Sequence, residues 1–184
     1  MADVERLFHR YHAPLVRYLT RRLGDRDWAE EVAQETFVRA LRHGEAGTGP
    51  AADKERAWLF AVATNLVRDE ARRDARRRRH LELLRAESAD AHAESAGVVY
   101  ETAQERAREA ALARRAVDAL AERDRFALLM REEGLDYHEI AEALGLSVGS
   151  VGTTLARARR RLVEHYEALA GGLPGGGRGA NAAS

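Results

Sequence analysis

The sequence predicts an all-α chain: two small helical domains joined by a flexible linker, the second of them a helix-turn-helix. Three observations carry this. Ala, Leu, Arg and Glu dominate and only three prolines occur, a mix that favours helix over strand. Apolar residues recur at helical spacing, with no alternating strand pattern. An acidic stretch of weak periodicity separates two periodic halves.

The elements follow in order. Residues 4–23 carry Leu7, Tyr11, Leu15, Tyr18 and Leu19 as an apolar stripe interrupted near Pro14, with Gly24 as a stop. Residues 27–41 set Ala29, Ala33, Phe37, Ala40 and Leu41 on one side. A breaker-rich loop, residues 43–50, precedes a long helix over about 54–79. Residues 81–105 form the linker, residues 106–169 a second helical unit, and residues 170–184 a glycine-rich tail whose composition predicts disorder. The first domain occupies residues 1–80.

Lys+Arg and Asp+Glu both number 30, so the formal net charge is zero. The charge is segregated all the same. Residues 68–79 hold seven Arg against three acids, whereas residues 82–105 hold six acids against one Arg. Patches of one sign govern binding more than the sum does. Lys54 is the only lysine, so nearly all the positive charge is guanidinium, which grips phosphate in a planar fork. There is no cysteine, hence no disulfide framework and no Cys-based zinc site. No apolar run approaches the roughly 20 residues that span a bilayer, and the first residues lack a signal-peptide core. The expectation is a soluble, cytoplasmic protein without membrane insertion.

In the second half, Asp136 and Glu139 have capping-box spacing. Ile140, Ala141 and Leu144 give an inward face, Gly145 a left-handed stop, and Ser147 a cap for the next helix. There Val151, Leu155, Ala158 and Leu162 form the stripe, opposite Gly149, Thr153, Arg157 and Arg160, flanked by Ser150, Thr154 and Arg161. Small polar residues early and arginines late suit duplex DNA: the first approach base edges and the second hold phosphates. A plain helical hairpin with a solvated arginine face fits the same spacing. His138 has no second ligand at i+3 or i+4, so neither metal nor cofactor is expected.

In the first half, Leu59, Val62, Ala63, Leu66 and Val67 share a face, and Trp58, Asn65, Arg68, Asp69 and Arg72 lie on or near the other. Indole among guanidinium and amide groups is the chemistry of a single-strand platform, because the ring stacks on unpaired bases while arginines track phosphates. Trp58 closing the core at the helix start is the competing reading. On the preceding helix Glu30, Glu31, Gln34, Glu35 and Val38 lie off the apolar stripe. That acidic face suits a basic or amphipathic protein partner, or is simply solvated.

Three segments carry a resemblance. AEEVAQETFVRAL at residues 29–41 resembles the polymerase-binding helix of the extracytoplasmic-function (ECF) sigma factors, usually close to DAEDLVQETFLRA. AWLFAVATNLVRD at residues 57–69 resembles their promoter-melting helix. ALAERDR at residues 119–125, GLDYHEIAEALG at 134–145 and VGSV at 148–151 resemble their C-terminal promoter-binding domain. The match spans about residues 5–168 in the family's order.

The resemblance implies a promoter-recognition subunit of RNA polymerase and no enzyme. Glu31, Gln34, Glu35 and Val38 would dock on core RNA polymerase. Trp58, Asn65, Arg68 and Arg72 would support the opened strand of the minus-ten element, with the loop at residues 43–55 receiving a flipped base. The linker would run through the RNA-exit region. Ser150, Thr153, Thr154 and Arg157 would meet the minus-thirty-five element of promoter DNA. An anti-sigma factor is a further implied partner. The recognition helix departs from the family's common VGTVKSR, reading VGSVGTT over residues 148–154, so two usual cations are absent; Ala121 replaces a common proline. A stand-alone helix-turn-helix regulator would use the second half and leave the faces of Gln34 and Trp58 idle, and a structural adaptor would leave the arginine segregation unused. No phosphate loop, metal-ligand cluster or Ser/His/Asp set supports an enzyme; Glu132 and Glu133, being adjacent on a helix, point apart.

Overall fold

A computed structural model describes residues 4–85 and 101–171, with side chains placed over residues 4–73 and 106–171. Among the described residues seven helices follow in the order α1 (Val4–Leu23), α2 (Arg26–Glu45), α3 (Glu55–Arg85), α4 (Glu101–Asp118), α5 (Glu122–Glu132), α6 (Tyr137–Leu144) and α7 (Val148–Gly171). Most of the acidic linker and the glycine-rich tail lie outside the described residues.

α1 runs through Pro14 without a break. The proline removes one backbone donor, but Tyr11, Leu15, Val16, Tyr18 and Leu19 on both sides of it are buried, and that packing holds the helix together. Gly24, at φ +77°, ends it in the left-handed conformation that glycine adopts without strain. α2 starts earlier than its apolar pattern suggests, because the Asp25 carboxylate accepts a hydrogen bond from the Trp28 N–H at 3.0 Å. Ala29, Val32, Ala33, Thr36, Phe37 and Ala40 form its buried face, whereas Leu41, expected on that side, is 47% exposed.

α3 packs Leu59, Phe60, Ala63, Thr64 and Val67 inward. At the centre of the first half the buried Tyr18 hydroxyl and the Thr64 hydroxyl lie 2.7 Å apart, and the Thr64 hydroxyl is within 2.7 Å of the Phe60 carbonyl. Burial pushes the Tyr18 phenol far up, so it stays a neutral partner in that chain.

The two halves do not stand apart. Phe126, Ala127, Leu129, Met130, Leu135 and Ile140 of α5, α6 and their connection belong to the same buried cluster as Leu15, Tyr18, Leu59 and Phe60. α3 packs on α6, and α1 on α5. A smaller cluster of Leu120, Leu128 and Ala158, with Leu162 against it, joins α5 to α7.

Candidate nucleic-acid interface

α2 turns Glu31, Gln34 and Val38 outward, with Glu35 half-exposed and tied to Arg39 one turn on at 2.9 Å. Phe8 of α1, 41% exposed and 5.1 Å from Phe37 by ring centroid, widens the apolar part of this surface, as does Leu41. Phe8 escaped the sequence pattern because its position on α1 is off the main stripe.

On α3, Trp58 is half-buried and packed against the core, with its ring edge-on to His43 at 5.3 Å. His43 also anchors the loop after α2 through Thr48, whose N–H donates to the His43 carbonyl at 2.9 Å. The loop is thereby held beside the indole. Asn65 and Arg72 are exposed along the same side, Arg72 within 3.5 Å of Asp69. Arg68 is turned elsewhere. Its Nε donates to Glu122 of α5 at 2.6 Å, and its guanidinium lies 5.0 Å over the Phe126 ring.

The second half forms the expected helix-turn-helix. The Glu139 N–H donates to the Asp136 carboxylate and the Asp136 N–H to the Glu139 carboxylate, both at 2.8 Å, which satisfies two donors that the helix start leaves orphaned. Gly145 takes φ +64°, and the Leu146 N–H returns to the Ala141 carbonyl at 2.8 Å. At the start of α7 it is the Ser147 carbonyl that is engaged, by the Ser150 N–H at 3.0 Å and the Ser150 hydroxyl at 2.8 Å. Thr153 is exposed, and its hydroxyl donates to the Ser150 carbonyl at 2.9 Å.

Two of the residues expected at the duplex are engaged within the chain. Thr154 is only 4% exposed, because it follows Val151 by three residues and precedes Ala158 by four, on the stripe that faces the core. Arg157 is engaged within the chain: its Nε and Nη2 donate to the two oxygens of Asp124 at 2.9 and 2.5 Å. The Asp124 side chain is 1% exposed. Those hydrogen bonds hold its carboxyl below the usual carboxylate range despite burial, and raise the Arg157 guanidinium in turn. Nothing local in the sequence links positions 33 residues apart. Glu133 was equally hidden; its side chain is 2% exposed between Arg17 and Arg21.

Among the described residues no group of three or more His, Asp or Glu could hold a metal ion, and no helix is long and apolar enough to cross a membrane.

Known proteins place this architecture. The family model for sigma-70 region 2 matches residues 7–77, and that for sigma-70 region 4 matches residues 110–162. The sigma factor YlaC of Bacillus subtilis is 30% identical over 164 residues, 87% of this chain and 90% of that one. The ferric citrate uptake sigma factor FecI of Escherichia coli is 32% identical over 164 residues, 88% and 87% of the two chains. The ECF sigma factor SigL of Mycobacterium tuberculosis is 49% identical over 70 residues, a match that spans 38% of either chain. A solved structure with the same fold is the sigma factor RpoE of Bartonella quintana in complex with the anti-sigma factor NepR, with a TM-score of 0.64, 19% identity, and coverage of 91% of this chain and 98% of that one. These relatives are sigma factors, which are not enzymes. Two family regions in the expected order, joined to relatives alike over nearly their whole length, leave one assignment: the chain belongs to the sigma-70 family of RNA polymerase sigma factors, in its ECF group.

Proposed function

We propose that the chain binds core RNA polymerase and directs it to promoters, contributing recognition and strand opening but no covalent chemistry. The observation that carries this is the exposed face of α2, an acidic surface with apolar Val38, Leu41 and Phe8 beside it, on the same short chain as a helix-turn-helix. A stand-alone DNA-binding regulator has no use for that face.

In this reading residues 1–80 form the polymerase-binding and melting unit and residues 106–169 the minus-thirty-five unit, with residues 81–105 as linker and 170–184 as tail. Glu31, Gln34, Glu35 and Val38 meet the polymerase. Trp58, Asn65, Arg68 and Arg72 receive the opened minus-ten strand; the position of the His43–Thr48 loop beside Trp58 supports this. Ser150, Thr153 and Arg157 face the minus-thirty-five duplex, Arg157 after exchanging Asp124 for phosphate or a base edge. The protein then works in the cytoplasm with the polymerase. An anti-sigma factor as a further partner is supported by RpoE, which is solved with one.

The test is pull-down with core polymerase followed by run-off transcription from genomic fragments. Co-purification and promoter-specific transcripts are expected. Tight sequence-specific gel shifts by the chain alone at physiological salt, without polymerase association, would refute the reading in favour of a stand-alone regulator.

A further inference from the structure

We infer that the start of α7 selects A·T pairs, through adenine amino groups and thymine methyls, and offers guanine no hydrogen bond. The inference rests on the function proposed above and assigns what its duplex reader reads. Paired hydrogen bonds to bases come from arginine and lysine for guanine, and from asparagine and glutamine for adenine; aspartate and glutamate accept from cytosine. Residues 148–156, which open α7, contain none of these six. Their solvent side offers only Ser150, Thr153, Ala156, Gly149 and Gly152 beside Val148.

Both hydroxyls have already committed their one hydrogen. That of Ser150 donates to the Ser147 carbonyl at 2.8 Å, and that of Thr153 to the Ser150 carbonyl at 2.9 Å. A hydroxyl carries one donor and two lone pairs, so each oxygen is left as an acceptor. In the major groove adenine and cytosine present an amino donor, whereas guanine presents only the acceptors N7 and O6. Ser150 and Thr153 can therefore accept from adenine or cytosine and have nothing to give guanine. Methyl groups decide between the remaining two. With its hydroxyl drawn back onto the helix, Thr153 is left with its methyl to reach outward, and the Ala156 methyl lies three residues on, also exposed. Thymine alone carries a methyl in this groove, so an A·T pair answers both chemistries and a G·C pair answers one.

The glycines bring these short groups within reach. Neither Gly149 nor Gly152 has a positive φ. A Cβ added at Gly149 would meet nothing within 4 Å, and at Gly152 only the Tyr137 ring at an ordinary 3.6 Å. Neither backbone nor packing calls for glycine here, although glycine is a poor helix former. Gly149, Gly152, Thr153 and Ala156 follow helical spacing, so one side of α7 is bare. A bare side lets the helix backbone sit close to the base edges, and methyl contacts act only at such short range. The cations come later. Arg157 is bound to Asp124, and Arg159 and Arg160 are exposed further along, where a phosphate contact positions the helix without reading sequence.

The test is a selection from duplexes randomised over the minus-thirty-five element, run in parallel with holoenzyme reconstituted on core polymerase and with the full chain alone at low salt. Thr153→Arg, at an exposed position, locates the base pair that residue 153 meets: the variant should prefer guanine there by at least about tenfold. At that pair the wild type should select A·T. Replacing its thymine by uracil, which removes only the methyl, should weaken wild-type binding about fourfold, the effect of one methyl group. Thr153→Ser, which keeps the hydroxyl, should bind the two bases alike. Guanine selected by the wild type at that pair, uracil as good as thymine, a Thr153→Arg variant with unchanged preference, or no enrichment in either selection each overturns the inference. If the chain alone selects as expected but no holoenzyme forms, the proposed function fails and the base preference stands. If holoenzyme initiates from promoters with guanine at that pair, the function stands and the base preference fails.

Discussion

Arg157 and Asp124 are two ends of one bidentate contact, yet the structure makes them unequal, and the inequality predicts which substitution harms the fold more. The Asp124 side chain is 1% exposed and that of Arg157 41%. Arg157→Ala strands a carboxylate in the interior. Losing the partner of a buried charge costs about 3–5 kcal/mol, and because Arg161 and Arg123 still act on Asp124 the lower end, about 3 kcal/mol, is expected. Asp124→Asn keeps the shape and one acceptor, and leaves a guanidinium that can turn to water; roughly 1 kcal/mol is expected. The larger loss corresponds to a fall of about 6–12 °C in Tm for a chain of this size.

The pH dependence separates the two further. In the wild type Arg157 holds Asp124 below its unfolded value, so this contact stabilises the fold above about pH 4 and is lost only as pH falls through the lower folded value. Without Arg157 the balance reverses: burial raises the carboxyl, and protonation relieves the penalty as pH falls. The stability gap between wild type and Arg157→Ala should therefore narrow from pH 7.5 to pH 4.5. Urea unfolding followed by circular dichroism at both values measures it. An Arg157→Ala variant no less stable than Asp124→Asn, or a gap that does not narrow, refutes the argument. It also follows that DNA binding by Arg157→Ala is to be measured in the Asp124→Asn background, where no stranded charge confuses the result.

Three other outcomes are expected. Gln34→Ala with Glu35→Ala should leave Tm within about 2 °C, since the exposed Glu35–Arg39 pair contributes only about 0.3–0.5 kcal/mol, while weakening polymerase binding by about 2 kcal/mol or more in a titration. Trp58→Ala should impair open-complex formation in permanganate footprinting and be partly rescued by a pre-melted template, a stacked base being worth roughly 1–3 kcal/mol; a stable variant with no rescue removes the melting role from this face. Gly145→Ala should cost about 1–2 kcal/mol from backbone strain alone, since a Cβ there meets nothing within 4 Å, and Asp136→Ala about 1 kcal/mol from the lost cap; thermal unfolding measures both.

What the sequence made legible was what local rules govern. The capping box at Asp136 and Glu139, the left-handed stop at Gly145 and the inward stripe of α7 depend on residues a few positions apart, and each appears as expected. The outward face of α2 follows from its period in the same way. Thr154 flanks the outward face on a helical wheel, which leaves such positions undecided, and the packing around α7 turns it inward. Contacts across long separations left no trace at all. Glu133 pairs with Arg17 and Arg21 across 116 and 112 residues, and in sequence it is one acid beside Glu132. The packing of α5 and α6 against α1 and α3 was hidden for the same reason: each half has an apolar stripe that accounts for itself.

The zero net charge acquires a physical sense from these contacts. Arg68 and Arg157, the guanidiniums proposed for the two promoter elements, already have carboxylate partners in Glu122 and Asp124. A phosphate that takes either of them replaces an existing pair, so the gain is the difference between two charge-assisted contacts, and the carboxylate left behind sits near the DNA backbone with the wrong sign. Each exchange therefore contributes little by itself. Binding becomes favourable when several exchanges are made together by two readers held at a fixed separation, because the second then acts at a high effective concentration. On the function proposed above, a polymerase holding both readers at the promoter would supply that separation, and the internal carboxylates would weaken DNA binding by the chain alone.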